Sequence, residues 1–344
     1  MRNLPLRPIR VAILILGLAG ALAGVAWAHH YRLESASQSA HFVKDGRVDD
    51  AIEPSGVAPV GDGRRVLVAN EQAVSLQVVD LATGAILGEP LGSAKFPAST
   101  APGPNWGGMA RDSEGNYYLI GSHGGKDDVE RAASSVVIRF RLRAGEPLAI
   151  DDSSVVRWDV ARALEAALRS EGLDASRVAQ RRVEGLAVRE GGGRRQLVIG
   201  LSQPDDKVRA YSADITTAPK SGTELKLRPV FAFAPGPREG VVPRLTSLEF
   251  VAEMGGFIIL TSSVGADNAF RGNTIWYIPN YEKEAAIPYE TFEKGMKAGG
   301  LAVLGVTSTG DRTEINLLIT YDNDPRASGI ASRFQTAKLV HERN

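Results

Sequence analysis

Val183 to Ser202 reads Val-Glu-Gly-Leu-Ala-Val, then Arg-Glu-Gly-Gly-Gly-Arg-Arg, then Gln-Leu-Val-Ile-Gly-Leu-Ser. Two short aliphatic runs flank a glycine-rich connection, which is the pattern of a β-hairpin. The phrase recurs along the chain. One copy joins Ile52-Glu53-Pro54-Ser55-Gly56-Val57 to Arg65-Val66-Leu67-Val68-Ala69-Asn70. Another joins Asn105-Trp106-Gly107-Gly108-Met109-Ala110 to Tyr117-Tyr118-Leu119-Ile120-Gly121-Ser122. After the quoted copy come Leu245-Thr246-Ser247-Leu248-Glu249-Phe250 with Phe257 to Ser262, and Ala298-Gly299-Gly300-Leu301-Ala302-Val303 with Asn316 to Asp322. Each copy is followed by a further β-rich run, such as Ser75 to Leu81 or Thr274 to Ile278. Short strands with turn signals, repeating at roughly fifty to eighty residues, read as propeller blades. The expectation is an all-β chain, a β-propeller of five or six blades. An irregular pair of sandwiches is the competing architecture. A sixth blade would be closed by strands from both chain ends or would hide between Phe140 and Arg182.

The chain before the first copy divides in two. Arg2, Arg7 and Arg10 precede an uncharged apolar run from Val11 to Ala28 that ends Ala26-Trp27-Ala28. A basic start, an apolar stretch and a small-x-small ending describe a signal peptide. The run is also long enough to span a bilayer as an anchor helix. Both readings export the rest of the chain to the periplasm or beyond, because positive charge stays inside. Residues 29–50 are polar and mixed and read as a tether with a strand near His41 to Lys44. Residues 51–344 form the propeller domain. Asp159 to Gly172 interrupts the β pattern. Val160, Ala163, Leu164, Ala167 and Leu168 fall at helical spacing, with Asp159 placed to cap the start, so one helix is inserted there. Tyr289 to Lys297 suggests a second short helix.

Forty basic residues balance forty acidic ones, and there is no cysteine. The absence of a basic block argues against nucleic acid as a partner and against binding anionic lipid by charge alone. Contact with a membrane would run only through the N-terminal segment. The expected partner is a small molecule or an envelope component, and the expected state is a monomer. A core of this size needs no disulfide.

In each hairpin the start of the first strand lies beside the end of the second. The polar groups at those points therefore gather on one face of the disc. The starts supply Glu53, Asn105, Glu184, Thr246 and Ser247. The ends supply Asn70 with Glu71, Ser122 with His123, Ser202, Ser262 with Ser263, and Asp322 with Asn323 and Asp324. Carboxylates and hydroxyls suit a hard cation, so calcium is the cofactor considered, with Glu53, Glu184, Asp322 and Asp324 as its ligands. The plain alternative is that these groups satisfy turn amides. His123 is the histidine inside a repeat and the candidate for acid–base work. Arg244 could hold an anion or pair with Glu239 or Glu249. No Gly-x-Ser-x-Gly elbow, phosphate-loop or His-Glu-x-x-His pattern is present, which argues against the serine hydrolase, nucleotide and zinc-protease chemistries that those motifs serve.

At Glu-Gly-Leu-Ala (184–187), Tyr-Leu-Ile-Gly-Ser-His (118–123), Leu-Thr-Ser-Leu-Glu-Phe (245–250) and Leu-Leu-Ile-Thr-Tyr-Asp-Asn-Asp (317–324) the chain resembles a bacterial family. That family is domain of unknown function 3616, related to the esterase-like and phytase-like propellers. The resemblance covers residues 52–339. It implies an exported β-propeller with a hydrolytic role. It also implies an acidic residue before glycine in several repeats. Glu184 keeps that pattern, whereas Trp106-Gly107-Gly108 and Ala298-Gly299-Gly300 have glycine in place of the acid. Two functions follow as expectations. One is a calcium-assisted phosphoester or ester hydrolase, in which His123 shuttles a proton and Arg244 steadies the anion. The other is a non-catalytic envelope propeller that binds a peptide, glycan or protein on the same face.

Overall fold

The computed structural model describes residues 29–344 apart from 38, 50–51, 72–73, 97–104, 125–130, 132–133, 218, 268, 280–286, 291–295, 323–330 and 344. The leader or anchor expected over 1–28 lies outside the described residues. Among those described, no helix is long and apolar enough to cross a membrane.

Strands β1 (His29–Ala36) and β2 (Ala40–His41) and the small hairpin β3 (Val43–Lys44) and β4 (Arg47–Val48) precede the first blade. Blade one is β5 (Pro54–Pro59), β6 (Arg65–Asn70) and β7 (Leu76–Asp80), with isolated bridges from β7 to Ile86 and Leu91 along its outer edge. Blade two is β8 (Trp106–Arg111), β9 (Tyr117–Gly121), β10 (Val136–Phe140) and β11 (Val156–Asp159). Blade three is β12 (Arg182–Gly191), β13 (Arg194–Gln203), β14 (Val208–Asp214) and β15 (Arg228–Phe233). Blade four is β16 (Arg244–Val251), β17 (Gly256–Val264), β18 (Phe270–Pro279) and β19 (Ile287–Glu290). Blade five takes β20 (Lys297–Thr309), β21 (Arg312–Asp322) and β22 (Arg333–Arg343) from the C-terminal end of the chain. All pairings within the blades are antiparallel. The propeller is borne out, with five blades.

Closure comes from an element read as tether. β1 pairs with β22 along its whole length, from His29 opposite Arg343 to Ala36 opposite Ala337. Blade five is thus built from both ends of the chain. Of the segment expected as a helix over Tyr289–Lys297, Tyr289 and Glu290 lie in β19 and Lys297 in β20, and 291–295 lie outside the described residues. The insertion between β11 and β12 is two helices rather than one, α1 (Ala161–Ser170) and α2 (Ala175–Ala179). The N-cap of α1 is Val160, with no side-chain cap, and not Asp159; Asp159 stands one residue earlier, its Oδ1 accepting from Ala161 N–H at 2.9 Å. Leu164, Leu168 and Val178 are buried against Trp158, Tyr118 and Leu186.

Five hydrophobic clusters fill the five seams between neighbouring blades. Blades one and two share Leu67, Val78, Leu119 and Phe140. Blades two and three share Ile120, Trp158, Ile199 and Tyr211 together with the helices. Blades three and four share Val198, Ala210, Phe257 and Ile259. Blades four and five share Leu260, Ile275, Leu317 and Ile319. Blades five and one share Val57, Val68, Leu318 and Phe334. Alternate residues of a strand face opposite sides of a sheet, so each blade supplies one face to each seam.

The inner strands β5, β8, β12, β16 and β20 carry the same irregularity. Each has a β-bulge near its start, at Ser55, Gly107, Glu184, Thr246 and Gly299. A bulge bends the strand and re-aims a side chain. At two bulges only glycine fits. A Cβ on Gly107 would lie 2.2 Å from Val183 O, and one on Gly299 2.2 Å from Pro54 O. The inner strands therefore touch backbone to backbone. Replacing Gly107 by Ala is expected to lower the unfolding free energy by about 1–3 kcal/mol, the usual cost of overpacking. A urea midpoint measures it, with Gly92→Ala as reference, since nothing lies within 4 Å of that Cβ. Equal midpoints would refute the close approach.

The residue after each bulge is Gly56, Gly108, Gly185, Ser247 or Gly300, and two positions on stand Ala58, Ala110, Ala187, Glu249 and Ala302. Four blades present glycine and alanine to the next inner strand. Blade four presents serine and glutamate. Ser247 Oγ bridges its seam by accepting from Leu301 N–H at 3.0 Å. Glu249 is half-buried next to it along the strand. It has no hydrogen-bond or ion-pair partner among the described residues. Burial alone pushes its carboxyl well above the ordinary range.

Candidate functional site

The inner strands all begin on the same face of the disc, here called the upper face. Two residues before the bulges stand Glu53, Asn105, Arg182, Arg244 and Lys297. These form the first ring of the channel mouth. The bulge residues form the second ring, in which Glu184 is the one carboxylate. The ends of the second strands add Glu71 and Asp322.

An ion-pair network links these groups. Arg182 Nε lies 2.6 Å from Glu184 Oε1, and its Nη2 lies 3.3 Å from Glu71 Oε1. Lys297 Nζ lies 3.5 Å from Asp322 Oδ2, as expected for residues paired across β20 and β21. Burial pushes the Glu184 carboxyl up, and the Arg182 and Lys297 charges only partly offset it. Burial would push the Lys297 ammonium down, but Glu71, Asp322 and Glu184 outweigh it and hold its pKa above the ordinary value. The Glu184 carboxylate, more than anything else, stabilises the charged guanidinium of Arg182. The carboxylates thus favour the charged forms of Arg182 and Lys297, whereas burial on balance favours the protonated form of Glu184.

The expected site residues fare differently. Glu184 and Asp322 reach the mouth, each beside a cation. Glu53 is buried and sits two positions before the bulge, in the register of Arg182 and Lys297, so Ser55 is the residue in the place of Glu184. Ser55 and Thr246 donate to Ala69 O and Leu260 O, at 3.3 and 3.4 Å. Those hydroxyls donate to carbonyls of the second strand and not to turn amides. Asp324 lies outside the described residues. Among the described residues no three aspartate, glutamate or histidine side chains converge as a cation cage. Of the expected calcium ligands that are described, Glu184 stands beside Arg182 and Asp322 beside Lys297.

His123 directly follows β9 with φ of +58°. It is 2% exposed, and neither ring nitrogen has a hydrogen-bond partner among the described residues. Burial, helped by the Arg181 charge, lowers its pKa to about 3. The imidazole is neutral throughout the physiological range, and a sealed neutral ring is poorly placed to shuttle protons. Arg244 is exposed on the rim of blade four. With the Gln203 amide oriented to donate to Gln180 O, its oxygen accepts from Arg244 Nη1. Among the described residues Arg244 makes no ion pair with Glu239 or Glu249. The cations Arg182 and Lys297 were not among the residues expected in the site. Aligning the copies on their bulges, rather than on the acids, would have found them.

No protein-family model matches the chain. No curated protein matches it either. Solved structures do match, and they are propellers of several activities. An exo-β-1,3-galactanase from Phanerochaete chrysosporium aligns at 9% identity and a TM-score of 0.50, over 88% of this chain and 64% of its own. A glutaminyl cyclase from Myxococcus xanthus aligns at 10% identity and a TM-score of 0.43, over 90% and 97%. A protein described as a glucose dehydrogenase from Thermus thermophilus aligns at 12% identity and a TM-score of 0.40, over 90% and 99%. The chain spans 66% of the Kuenenia stuttgartiensis hydrazine synthase chain that it also matches. At these identities the likeness concerns the fold, and a propeller hosts many unrelated functions.

Proposed function

We propose that this is an exported propeller that binds a hydroxyl-rich ligand, a glycan of the cell envelope, at the charged mouth on its upper face. One observation carries the reading: cations and carboxylates stand side by side at the mouth, with Arg182, Lys297, Glu71 and Glu184 all partly open to solvent. Vicinal hydroxyls donate and accept at once, and a rim that offers guanidinium, ammonium and carboxylate groups side by side answers both. A metal-free binding site accounts for the paired charges without requiring a free base. Export rests on the apolar segment before Tyr31 and on the resemblance to an exported family.

The hydrolytic reading keeps one point of support. A carboxyl pushed up by burial, as in Glu184, is the property wanted in a general acid. Arg182 at 2.6 Å opposes it by favouring the ionised form.

The test is titration of the full chain with a panel of neutral and acidic oligosaccharides, β-1,3-linked galactotriose among them. Glu184→Gln and Lys297→Met are each expected to weaken binding by about tenfold or more, the effect of one charge-assisted hydrogen bond. Absence of saccharide binding, or binding untouched by both substitutions, sinks the proposal. A calcium-dependent rise in the thermal midpoint that Glu184→Gln abolishes would overturn it in favour of the metal-assisted hydrolase.

A further inference from the structure

The opposite, lower face of the disc holds a cleft between blades one and two that the mouth does not reach. Its volume is about 430 Å³, within the size range of small-molecule sites. Four arginines line it, Arg65, Arg111, Arg141 and Arg143, against two carboxylates, Glu114 and Glu146. The carboxylates are already engaged. Glu146 lies 2.5 Å from Arg65, and Glu114 lies 2.6 Å from Arg195, outside the cleft, and 3.5 Å from Arg141. Arg111 and Arg143 make no ion pair among the described residues.

Arg111 is held in an unusual way. It ends the inner strand β8, and its guanidinium carbon lies 5.8 Å from the centre of the Tyr117 ring. Its Nη2 lies 2.7 Å from where a Cβ on Gly61 would stand, and Gly61 has φ of +102°. Only glycine leaves that room. Tyr117 is itself fixed, its hydroxyl donating to Val60 O at 3.0 Å. The Nε of Arg111 is buried and unpartnered. That nitrogen is enclosed, so the half-buried guanidinium can meet a ligand only through its terminal Nη groups. Leu142 and Leu148 add apolar wall.

We infer that this cleft is a second binding site, one that takes a phosphate-bearing group on a compact apolar body, with Arg111 and Arg143 as its anchors. Arginine forks match phosphate oxygens two at a time. The group has two chemical sources, a soluble phosphate monoester or a lipid headgroup. The second is tested in an arm of its own, because β1 starts at His29 on this same face.

The experiment titrates phenyl phosphate into the full chain by calorimetry at low salt. In parallel it sediments the chain with phosphatidylcholine vesicles, with and without phosphatidic acid. Binding below about 1 mM is expected in at least one arm. Binding in the first arm identifies a soluble ligand. Binding confined to the second identifies a headgroup. Arg111→Met should weaken either by about tenfold or more, and the exposed Arg143→Gln by a smaller factor. The Arg143 variant keeps the test valid if loss of Arg111 disturbs folding. No binding in either arm, or affinities unchanged in both variants, overturns the assignment.

Discussion

A chain that begins at Ser37 is expected to lose its ring closure and most of its stability. β1 covers the outer edge of blade five, and what it covers is specific. Tyr31 stacks on His341 at 4.4 Å with the rings 8° apart, and it also lies 4.8 Å from Tyr277. Leu33 packs on the core shared by blades four and five. Arg32 reaches Glu342 at 2.7 Å, and Arg312 reaches Glu34 at 2.8 Å. Those exposed ion pairs contribute little. The two large side chains are half-buried, so each stabilises by about 1–2 kcal/mol, less than full burial gives. Strand pairing adds to this, so the loss is about 3–6 kcal/mol from a total that is commonly 5–15 kcal/mol. The bare edge of β22 would then be open to another chain. The expected result is a much lower urea midpoint with self-association in light scattering. A peptide of residues 29–36 added in trans should restore both. A truncated chain that stays monomeric with an unchanged midpoint would show that β1 is dispensable.

Replacing Glu249 by Gln should raise stability at neutral pH and flatten its pH dependence. The Glu249 carboxyl ionises at an ordinary value in the unfolded chain but only at higher pH in the folded one, because burial disfavours its charge. Between those two values the folded state holds the extra proton, so stability falls as pH rises through that window. Below the ordinary carboxyl range both states are protonated and the penalty vanishes. Above the folded-state value it is complete. Glutamine keeps the shape without the charge and removes the penalty. The gain is about 1–2 kcal/mol at pH 8, shrinking toward zero near pH 4. Unfolding curves of both proteins from pH 4 to 8 decide it. Parallel pH profiles would mean that Glu249 finds a counter-charge or free water in the folded chain.

The repeated hairpin was legible because a strand–turn–strand phrase needs only local signals. Five copies implied a ring, and the helix after Asp159 announced itself by its spacing. Register at the mouth was not legible in the same way. Glu53 looked equivalent to Glu184 because both are acids near a glycine, but the bulge is a pairing event between strands and leaves no residue type of its own. Counting back from Gly56 and Gly185 gives Ser55 and Glu184 instead. Arg182 and Lys297 do not stand out in the sequence, because neither residue type is a ligand for a hard cation. β1 hid for a different reason. Tyr31-Arg32-Leu33-Glu34 does alternate, but four residues of alternation among polar neighbours read equally well as an exposed segment. Its partner lies some three hundred residues away.

That pairing also fixes where the chain's described ends lie. His29 and Arg343 are opposite each other across adjacent strands, a separation of about 5 Å. A few residues could join them. The fold then has no privileged point of entry. Cut at the exposed Gly192–Gly193 turn of blade three and sealed between 343 and 29, the same five seams would hold a circularly permuted chain. In that chain the fifth blade would be continuous, and the noncovalent clasp would move to blade three.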